Sequence, residues 1–340
     1  MSDYAYVWLL CKDDSYLPGL LTSIYSLKKT NPQYDLVVMV TPDISFDTRA
    51  AFSSLITQII EVPYLKFNRI ELPNHISEFL YGGNSDILCT KWNILNLTKY
   101  KKVLLLDADT IIYENIDDLF TLPTPAAPFS SSFSKPLGSI KFHYTNEKDK
   151  TGYLYHGDQI KEQDIKNSLM QHGTVLIAST VLLSPNATDY ADFCSSILNF
   201  NYMDVLSNFN GVQVASTAHP DNKLNELEIN LIKQHLSSTQ IFGFPNCFSG
   251  IAEQALAYFY TYIKKESFYN IHQRYNYFSW RSSFLINESP KILHIICKPK
   301  PWMKSQIHTD PVLNAIYELN ASPQDTKVWK TYYEEFQTTQ

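Results

Sequence analysis

The sequence predicts an α/β fold in which a mostly parallel central sheet is flanked by helices. In the first 120 residues, short apolar runs alternate with segments whose apolar residues recur at helical spacing. The apolar runs are continuous, which is typical of parallel strands that are covered on both faces. No stretch approaches the roughly 18 apolar residues of a membrane-spanning helix, so we expect no membrane span.

The elements of this first part follow one another as strand and helix. Strands are predicted at residues 4–10, 34–40, 58–62 and 101–106, and helices at 17–30, 45–56 and 86–97. Sheets of this class bind ligands beyond the carboxyl ends of their strands. The last of these strands ends directly before Asp107, so we expect the ligand site there.

The rest of the chain is predicted to complete one elaborated domain, residues 1–303, followed by a C-terminal helical tail, residues 304–340. Residues 123–170 are polar and rich in Ser and Pro, which predicts a long loop or insertion. Later strands are predicted at 173–186, 240–245 and 290–296, and later helices at 187–200, 225–236 and 310–320.

Composition and charge limit the classes of partner and the cellular compartment that we expect for this protein. A formal net charge of −6 gives no long-range attraction for nucleic acid. The five cysteines are odd in number, lie far apart and include no CxxC pair, which favours reduced thiols. The N-terminus has neither the basic region nor the length of apolar run that a signal peptide needs. We therefore expect a cytoplasmic protein.

Two carboxylates, Asp107 and Asp109, stand at positions i and i+2 at the end of the strand in "KVLLLDADTI". Where the backbone turns, both can converge on one point and hold a divalent cation. Such an ion would keep open positions for phosphate oxygens. Alternatively, one Asp caps the following turn and the other is solvated.

The second signal is "ILHIICKPKPW", residues 292–302, in which an apolar strand carries His294 and leads to Lys300. A neutral imidazole would be a third metal ligand, and a mixed carboxylate and imidazole set favours Mn²⁺, with Mg²⁺ as an alternative. Lys300 could then contact a diphosphate as a point charge. Taken alone, His294 is also consistent with a hydrogen-bonded core histidine.

The chain resembles glycosyltransferase family 8, the glycogenin and galactinol synthase group, which has the GT-A fold. The resemblance rests on "VWLLCKDDSYLPGLLTSIYSLKK", "TKWNILNLTKYKKVLLLDADTIIYENIDDLF", "VLLSPNATDYADF" and "HIICKPKPW", with "RYN" at 274–276 ahead of the last motif. It implies transfer of a hexose, glucose or galactose, from a UDP-sugar to a glycan, polyol or protein acceptor, with retention of anomeric configuration. The oligomeric state stays open, with a homodimer among the options.

The resemblance also implies roles for individual residues. The metal ligands would be Asp107, Asp109 and His294. The residues that hold the nucleotide-sugar would be Leu10, Asp13, Tyr16, Lys91, Asp107, Ala108, Asp109, Cys297 and Lys300. Tyr16 could stack on uracil, and Lys91 would lie beside the donor sugar. Those near the anomeric carbon would be Lys91, Asn225 and Glu226.

Three departures from the family pattern bear on activity. Ile177 stands where the family has an amide, Asn225 where it has a carboxylate, and Cys297 where it has a glycine. Glu226 could supply the missing carboxylate from the next position. These changes motivate a second hypothesis, a non-catalytic member that binds a nucleotide-sugar or a glycan.

A third hypothesis is a haloacid-dehalogenase-type phosphatase, because "LLLDADTI" also fits a D-x-D-x-T pattern. Asp107 would then be the phosphoryl nucleophile and Asp109 its acid/base partner. This hypothesis leaves "HIICKPKPW" without a role.

Overall fold

The structure, a computed structural model, describes residues 2–66, 85–129, 141–142, 153–166, 176–198, 251–278, 289–296, 299–303 and 322–339. Its strands, in chain order, are β1 (Tyr4–Leu10), β2 (Asp35–Val40), β3 (Gln58–Glu61), β4 (Lys102–Leu106), β5 (Thr110–Ile112), β6 (Ala126–Ala127), β7 (Lys141–Phe142), β8 (Tyr153–Leu154), β9 (Gln159–Ile160), β10 (Thr180–Leu183), β11 (Phe268–Asn270) and β12 (Ile292–His294).

An eight-stranded sheet runs through this part of the molecule in the order β3-β2-β1-β4-β10-β6-β11-β9. Strands β3, β2, β1 and β4 are parallel neighbours. Strand β10 is antiparallel to both β4 and β6, which ends the parallel part of the sheet. The predicted α/β fold with a mostly parallel central sheet is confirmed.

The helices are α1 (Leu17–Lys28), α2 (Phe46–Ser53), a 3-10 helix (Ser85–Asn96), α3 (Ala187–Leu198), α4 (Ile251–Tyr258) and α5 (Pro323–Thr339). A π-helical turn, Phe259–Ile263, continues α4. Helix α2 begins with a side-chain cap. The Ser45 hydroxyl accepts a hydrogen bond from the Thr48 backbone N–H at 3.1 Å, so this N–H at the helix start has a partner. None of the helices among the described residues is long and apolar enough to cross a membrane.

Two hydrophobic clusters cover the two faces of the sheet, as the pleat of β1 shows. Ala5 and Val7 point to one face, where they pack with Trp92. Tyr6 and Trp8 point to the other face. Because most side chains of the central strand are buried on one side or the other, β1 has a continuous apolar sequence.

The later elements differ from the sequence predictions in position. The strand predicted at 173–186 is the short antiparallel β10. Within 123–170, strands β6 and β9 join the main sheet. The strand predicted at 240–245 and the helices predicted at 225–236 and 310–320 lie outside the described residues. Helix α5 lies within the C-terminal helical tail predicted at 304–340, although the helix placed there, 310–320, is a different segment.

Strands β5 and β12 form a separate two-stranded antiparallel sheet, here called the β5–β12 ribbon. In its register, Ile292 pairs with Ile112 and His294 pairs with Thr110. The ribbon begins directly after the turn that carries Asp107 and Asp109. It therefore brings the carboxyl end of β12 to the end of β4.

Gly19, in α1, leaves room for the ring of Trp302. A Cβ at this position would lie 2.6 Å from a Trp302 ring carbon and 2.9 Å from the Ala108 carbonyl oxygen. Helix propensity alone favours Ala over Gly by about 1 kcal/mol, but overpacking costs about 1–3 kcal/mol. We expect Gly19→Ala to be destabilised in urea unfolding. A variant more stable than the wild type would show that Trp302 moves aside without strain.

Candidate metal and nucleotide-sugar site

The turn after β4 directs Asp107 and Asp109 to one place. The Asp107 N–H donates to the Ser179 carbonyl at 3.0 Å, so the end of β4 is still tied to the segment before β10. The Thr110 hydroxyl donates back to the Asp107 carbonyl at 2.8 Å and closes the turn. The Asp109 carbonyl then accepts from the Ile295 N–H at 2.8 Å, which fixes the turn to the end of β12.

Asp107, Asp109 and His294 form an acid–histidine cluster. One ligand atom from each residue lies within 4.8 Å of the others. The three residue types at this spacing could hold one metal ion. The two signals of the sequence, a carboxylate pair and a distant histidine, thus meet in space.

The orientation of His294 leaves one ring nitrogen for a ligand. Its Nδ1 lies 3.0 Å from Oδ1 of Asn276, which also accepts the Ser179 hydroxyl at 2.6 Å. In this orientation of the Asn276 amide, the oxygen can only accept, so the Nδ1 of His294 carries the proton. A neutral imidazole then presents its Nε2 lone pair, and Asn276 fixes that tautomer.

The atoms that face each other in the cluster fit a bound cation. Oδ1 of Asp109 is buried, has no hydrogen-bond partner among the described residues and lies 3.4 Å from Nε2 of His294. A buried carboxylate oxygen that faces an imidazole nitrogen needs a positive charge between them, either a proton on the imidazole or a metal ion. The residues present therefore fit a divalent metal.

Two lysines already pair with the two carboxylates. Lys91 Nζ lies 2.7 Å from Oδ1 of Asp107, and Lys300 Nζ lies 2.7 Å from Oδ2 of Asp109. Lys300 also donates to the Ile295 carbonyl. Only 5% of the Lys300 side chain is exposed, so water screens this pair little. The sequence predicts that both lysines contact the nucleotide-sugar donor. In the structure they neutralise the carboxylates of Asp107 and Asp109.

The two ion pairs shift the pKa values of Asp109 and Lys91. Burial would raise the pKa of Asp109, but the Lys300 ammonium and His294 outweigh it and hold the pKa of this carboxyl far below its ordinary value. Burial would lower the pKa of Lys91, but the Asp107 carboxylate holds that pKa above its ordinary value. At neutral pH the Asp109 carboxylate and the Lys91 ammonium are therefore both charged.

Tyr16 lies at the edge of this group. Burial raises the pKa of its hydroxyl, and the charges that act on it are those of Lys300, Asp109 and Asp107. Its ring meets Trp302 edge to face, with 5.6 Å between the ring centroids. Tyr16 is therefore close to the cluster, as the sequence predicts.

Three other residues that the sequence predicts to hold the nucleotide-sugar, Leu10, Asp13 and Ala108, make contacts within the protein. The Leu10 side chain packs in the core, and its carbonyl accepts from the Thr41 N–H at 3.2 Å. Asp13 is exposed and caps the 3-10 turn Asp14–Tyr16 by accepting from Ser15. Ala108 is buried beside Gly19.

Asn225, Glu226 and Cys297 lie outside the described residues. Their roles, and whether Cys297 crowds a diphosphate, therefore stay predictions.

Glu253, in α4, is a carboxylate near the site that the sequence analysis missed. Burial raises its pKa, while the nearby Lys91 ammonium lowers it in part and Asp107 adds to the increase. The Ala178 N–H donates to this carboxylate, and the Ala178 carbonyl lies 3.4 Å from Lys91 Nζ. An acid followed by Gln ahead of an apolar run, "AEQALAY", was the available signal.

Comparisons with known proteins bear on the family of this chain. The sequence profile described as "Glycosyl transferase family 8" matches residues 8–150. "Uncharacterized protein R707" of Acanthamoeba polyphaga mimivirus is 32% identical over 203 residues, which cover 60% of this chain and 63% of that protein. "Glycogenin-1" of Homo sapiens is 32% identical over 156 residues, which cover 46% of this chain and 43% of that protein.

A solved structure of the galactosyltransferase LgtC in complex with donor and acceptor sugar analogues is also similar. That match covers 96% of this chain and 99% of the LgtC chain, with 14% sequence identity and a TM-score of 0.40. The present chain spans less than two thirds of the length of the two curated relatives. The profile match over residues 8–150 and these sequence relatives support an assignment to glycosyltransferase family 8.

Proposed function

We propose that this protein is a divalent-metal-dependent glycosyltransferase. It moves a hexose, glucose or galactose, from a UDP-sugar to an acceptor hydroxyl with retention of anomeric configuration. The observation that carries the proposal is the acid–histidine cluster, in which Asp107, Asp109 and His294 approach within 4.8 Å beside two buried lysines.

Asp107, Asp109 and His294 would hold Mn²⁺, or Mg²⁺ in its place. The bound ion would act as a Lewis acid that neutralises charge on the leaving diphosphate. Lys300, whose ammonium already lies at the cluster, would add a second positive charge on the diphosphate, and Tyr16 would stack on uracil. Electrostatic stabilisation of the departing UDP is then the largest contribution of the site.

The sugar itself would lie toward Lys91 and Glu253. Asn225 and Glu226 stay predictions for the anomeric centre. Glu253 is a further candidate, because a partly desolvated carboxylate beside Lys91 can accept hydrogen bonds from sugar hydroxyls. We place the reaction in a reducing, cytoplasmic setting, on the basis of the odd and scattered cysteines.

A panel of UDP-sugars tests the proposal. We expect Mn²⁺-dependent release of UDP from UDP-glucose or UDP-galactose, with no release after chelation of the metal. Mass measurement of the protein itself would detect self-glycosylation. Binding of UDP with Mn²⁺ but no release from any donor would instead support the non-catalytic hypothesis. Hydrolysis of a generic phosphate monoester without UDP release would support the phosphatase, which leaves the contacts of His294 and Lys300 with Asp109 unused.

Asn276→Ala is expected to weaken binding of UDP with Mn²⁺ about 10- to 100-fold, the usual effect of losing a group that orients a metal ligand. Without the Asn276 oxygen, the His294 ring loses the acceptor that fixes its tautomer. Isothermal titration calorimetry measures the change. Asn276→Asp retains an acceptor oxygen and should recover most of the affinity. Unchanged affinity in a folded Asn276→Ala protein would show that His294 needs no orienting partner.

A further inference from the structure

Helix α5 (Pro323–Thr339) packs against the β5–β12 ribbon, which supplies one ligand and adjoins another. His294 is the last residue of β12, and Asp109 directly precedes β5. Beside the ribbon, Trp329 of α5 is 5% exposed and belongs to the same hydrophobic cluster as Ile111 and Leu293. The indole therefore packs in the same cluster as the ribbon side chains that neighbour Asp109 and His294 in the sequence.

Trp329 also reaches the segment that carries Lys300. Its ring centroid lies 5.6 Å from that of Trp302. Trp302 in turn meets the edge of Tyr16 and fills the space above Gly19. The Met303 N–H donates to the Lys300 carbonyl at 2.9 Å, so Lys300 and Trp302 belong to one tight turn. Through Trp302, α5 thus also contacts the turn that places the Lys300 ammonium.

The other end of α5 makes a separate contact. Phe336, 6% exposed, packs on Tyr25 of α1 at 5.6 Å between ring centroids and belongs to the core cluster of the main sheet. The Lys29 ammonium forms an ion pair with Glu335 at 2.5 Å next to it. One helix therefore carries two buried aromatic anchors on different sides of the ribbon. Phe336 shares the main-sheet cluster with Ile112 and Ile292, whereas Trp329 shares the other cluster with Ile111 and Leu293 and also meets Trp302.

We propose that Trp329 is a positioning residue for the metal and diphosphate site. It holds the β5–β12 ribbon and the turn from Lys300 to Met303 in register, so that Asp109, His294 and Lys300 converge. The inference rests on the proposed function for the identity of the ligand. The packing on which it depends is a property of the ligand-free protein, and it can be tested without any ligand.

The test compares Trp329→Ala with Phe336→Ala in the full chain. Both remove a buried aromatic anchor of α5, so both should lower the Tm. Amide hydrogen exchange then reads the ribbon directly, in peptides covering residues 110–112 and 292–295. We expect exchange there to be at least about tenfold faster in Trp329→Ala, because local opening becomes easier. The increase should be clearly smaller in Phe336→Ala, because Phe336 packs with Ile112 and Ile292 in the main-sheet cluster and is outside the cluster that Trp302 joins.

Calorimetry with UDP and Mn²⁺ supplies the second measurement. We expect Trp329→Ala to bind about tenfold more weakly or worse, and Phe336→Ala to bind like the wild type. If Trp329→Ala does not fold, Trp329→Leu keeps most of the apolar volume, loses the ring contact with Trp302 and should show the same two changes in smaller measure.

Equal effects of the two variants on ribbon exchange, or no effect of Trp329→Ala, would overturn the inference. A wild-type protein that binds no UDP with Mn²⁺ would instead refute the proposed function. In that case the exchange comparison still decides whether Trp329 holds the ribbon.

Discussion

Asp109→Asn is expected to lower Mn²⁺-dependent UDP release by about 1,000-fold or more. Asn has nearly the same shape but no charge, so the cluster loses an anionic ligand, and Lewis-acid stabilisation is worth several kcal/mol. Each 1.36 kcal/mol corresponds to about tenfold in rate. Steady-state kinetics with the preferred UDP-sugar measures the loss.

The same substitution removes the partner of Lys300. The Lys300 side chain is 5% exposed, and breaking a pair this deeply buried costs about 3–5 kcal/mol. A loss of activity could then reflect unfolding alone. The matched control is Asp109→Asn combined with Lys300→Met, which removes the unpaired ammonium. We expect the double variant to recover much of the Tm and none of the Mn²⁺ binding.

Turnover by Asp109→Asn at the wild-type rate would contradict the metal site. So would recovery of both stability and Mn²⁺ affinity in the double variant, because it would assign the whole effect of the single substitution to folding.

Lys300→Met is expected to change two affinities in opposite directions. Binding of Mn²⁺ alone should become roughly 10- to 100-fold tighter, because the ammonium that now neutralises Asp109 would repel an incoming cation. Binding of UDP with Mn²⁺ should become weaker, because the diphosphate loses a positive charge. In the wild type, each carboxylate is paired with a lysine, so the cluster has little net negative charge to attract a divalent ion alone. We expect the diphosphate of UDP to supply the negative charge that the ion needs.

Paramagnetic resonance of free Mn²⁺ measures the first affinity, and calorimetry with UDP measures the second. Mn²⁺ alone should raise the Tm of Lys300→Met more than that of the wild type, since a ligand stabilises the state that it binds. The control is Lys291→Met, which removes a similarly covered lysine paired with Asp118, outside the acid–histidine cluster. If Lys300→Met binds Mn²⁺ alone as weakly as the wild type does, Lys300 does not compete with the metal.

The sequence predicted the acid–histidine cluster because all three of its residues lie at or near the ends of apolar strands. Asp107 and Asp109 follow an apolar strand in a parallel series, and such ends gather at one edge of a sheet. His294 ends another apolar run. The same reasoning gave the parallel half of the sheet, since β1, β2 and β4 are buried on both faces and read as continuous apolar runs.

The features that the sequence did not predict depend on contacts between distant segments. The antiparallel direction of β10 is set by its pairing with β4, which its apolar residues do not encode. Glu253 matters because α4 brings it to Lys91. Residues 322–339 are polar on average and resemble a solvated tail, whereas their few aromatic residues, Trp329 among them, pack on the β5–β12 ribbon and α1.

The pairing of β5 with β12 has a consequence for biosynthesis. Strand β5, which follows Asp109, and strand β12, which ends in His294, are about 180 residues apart in the sequence. A growing polypeptide therefore carries Asp107 and Asp109 long before His294 has been synthesised. Lys91, which pairs with Asp107, is already made at that stage and can neutralise part of the charge. The acid–histidine cluster, and any ligand binding that depends on it, can therefore form only after residues 292–294 have been synthesised.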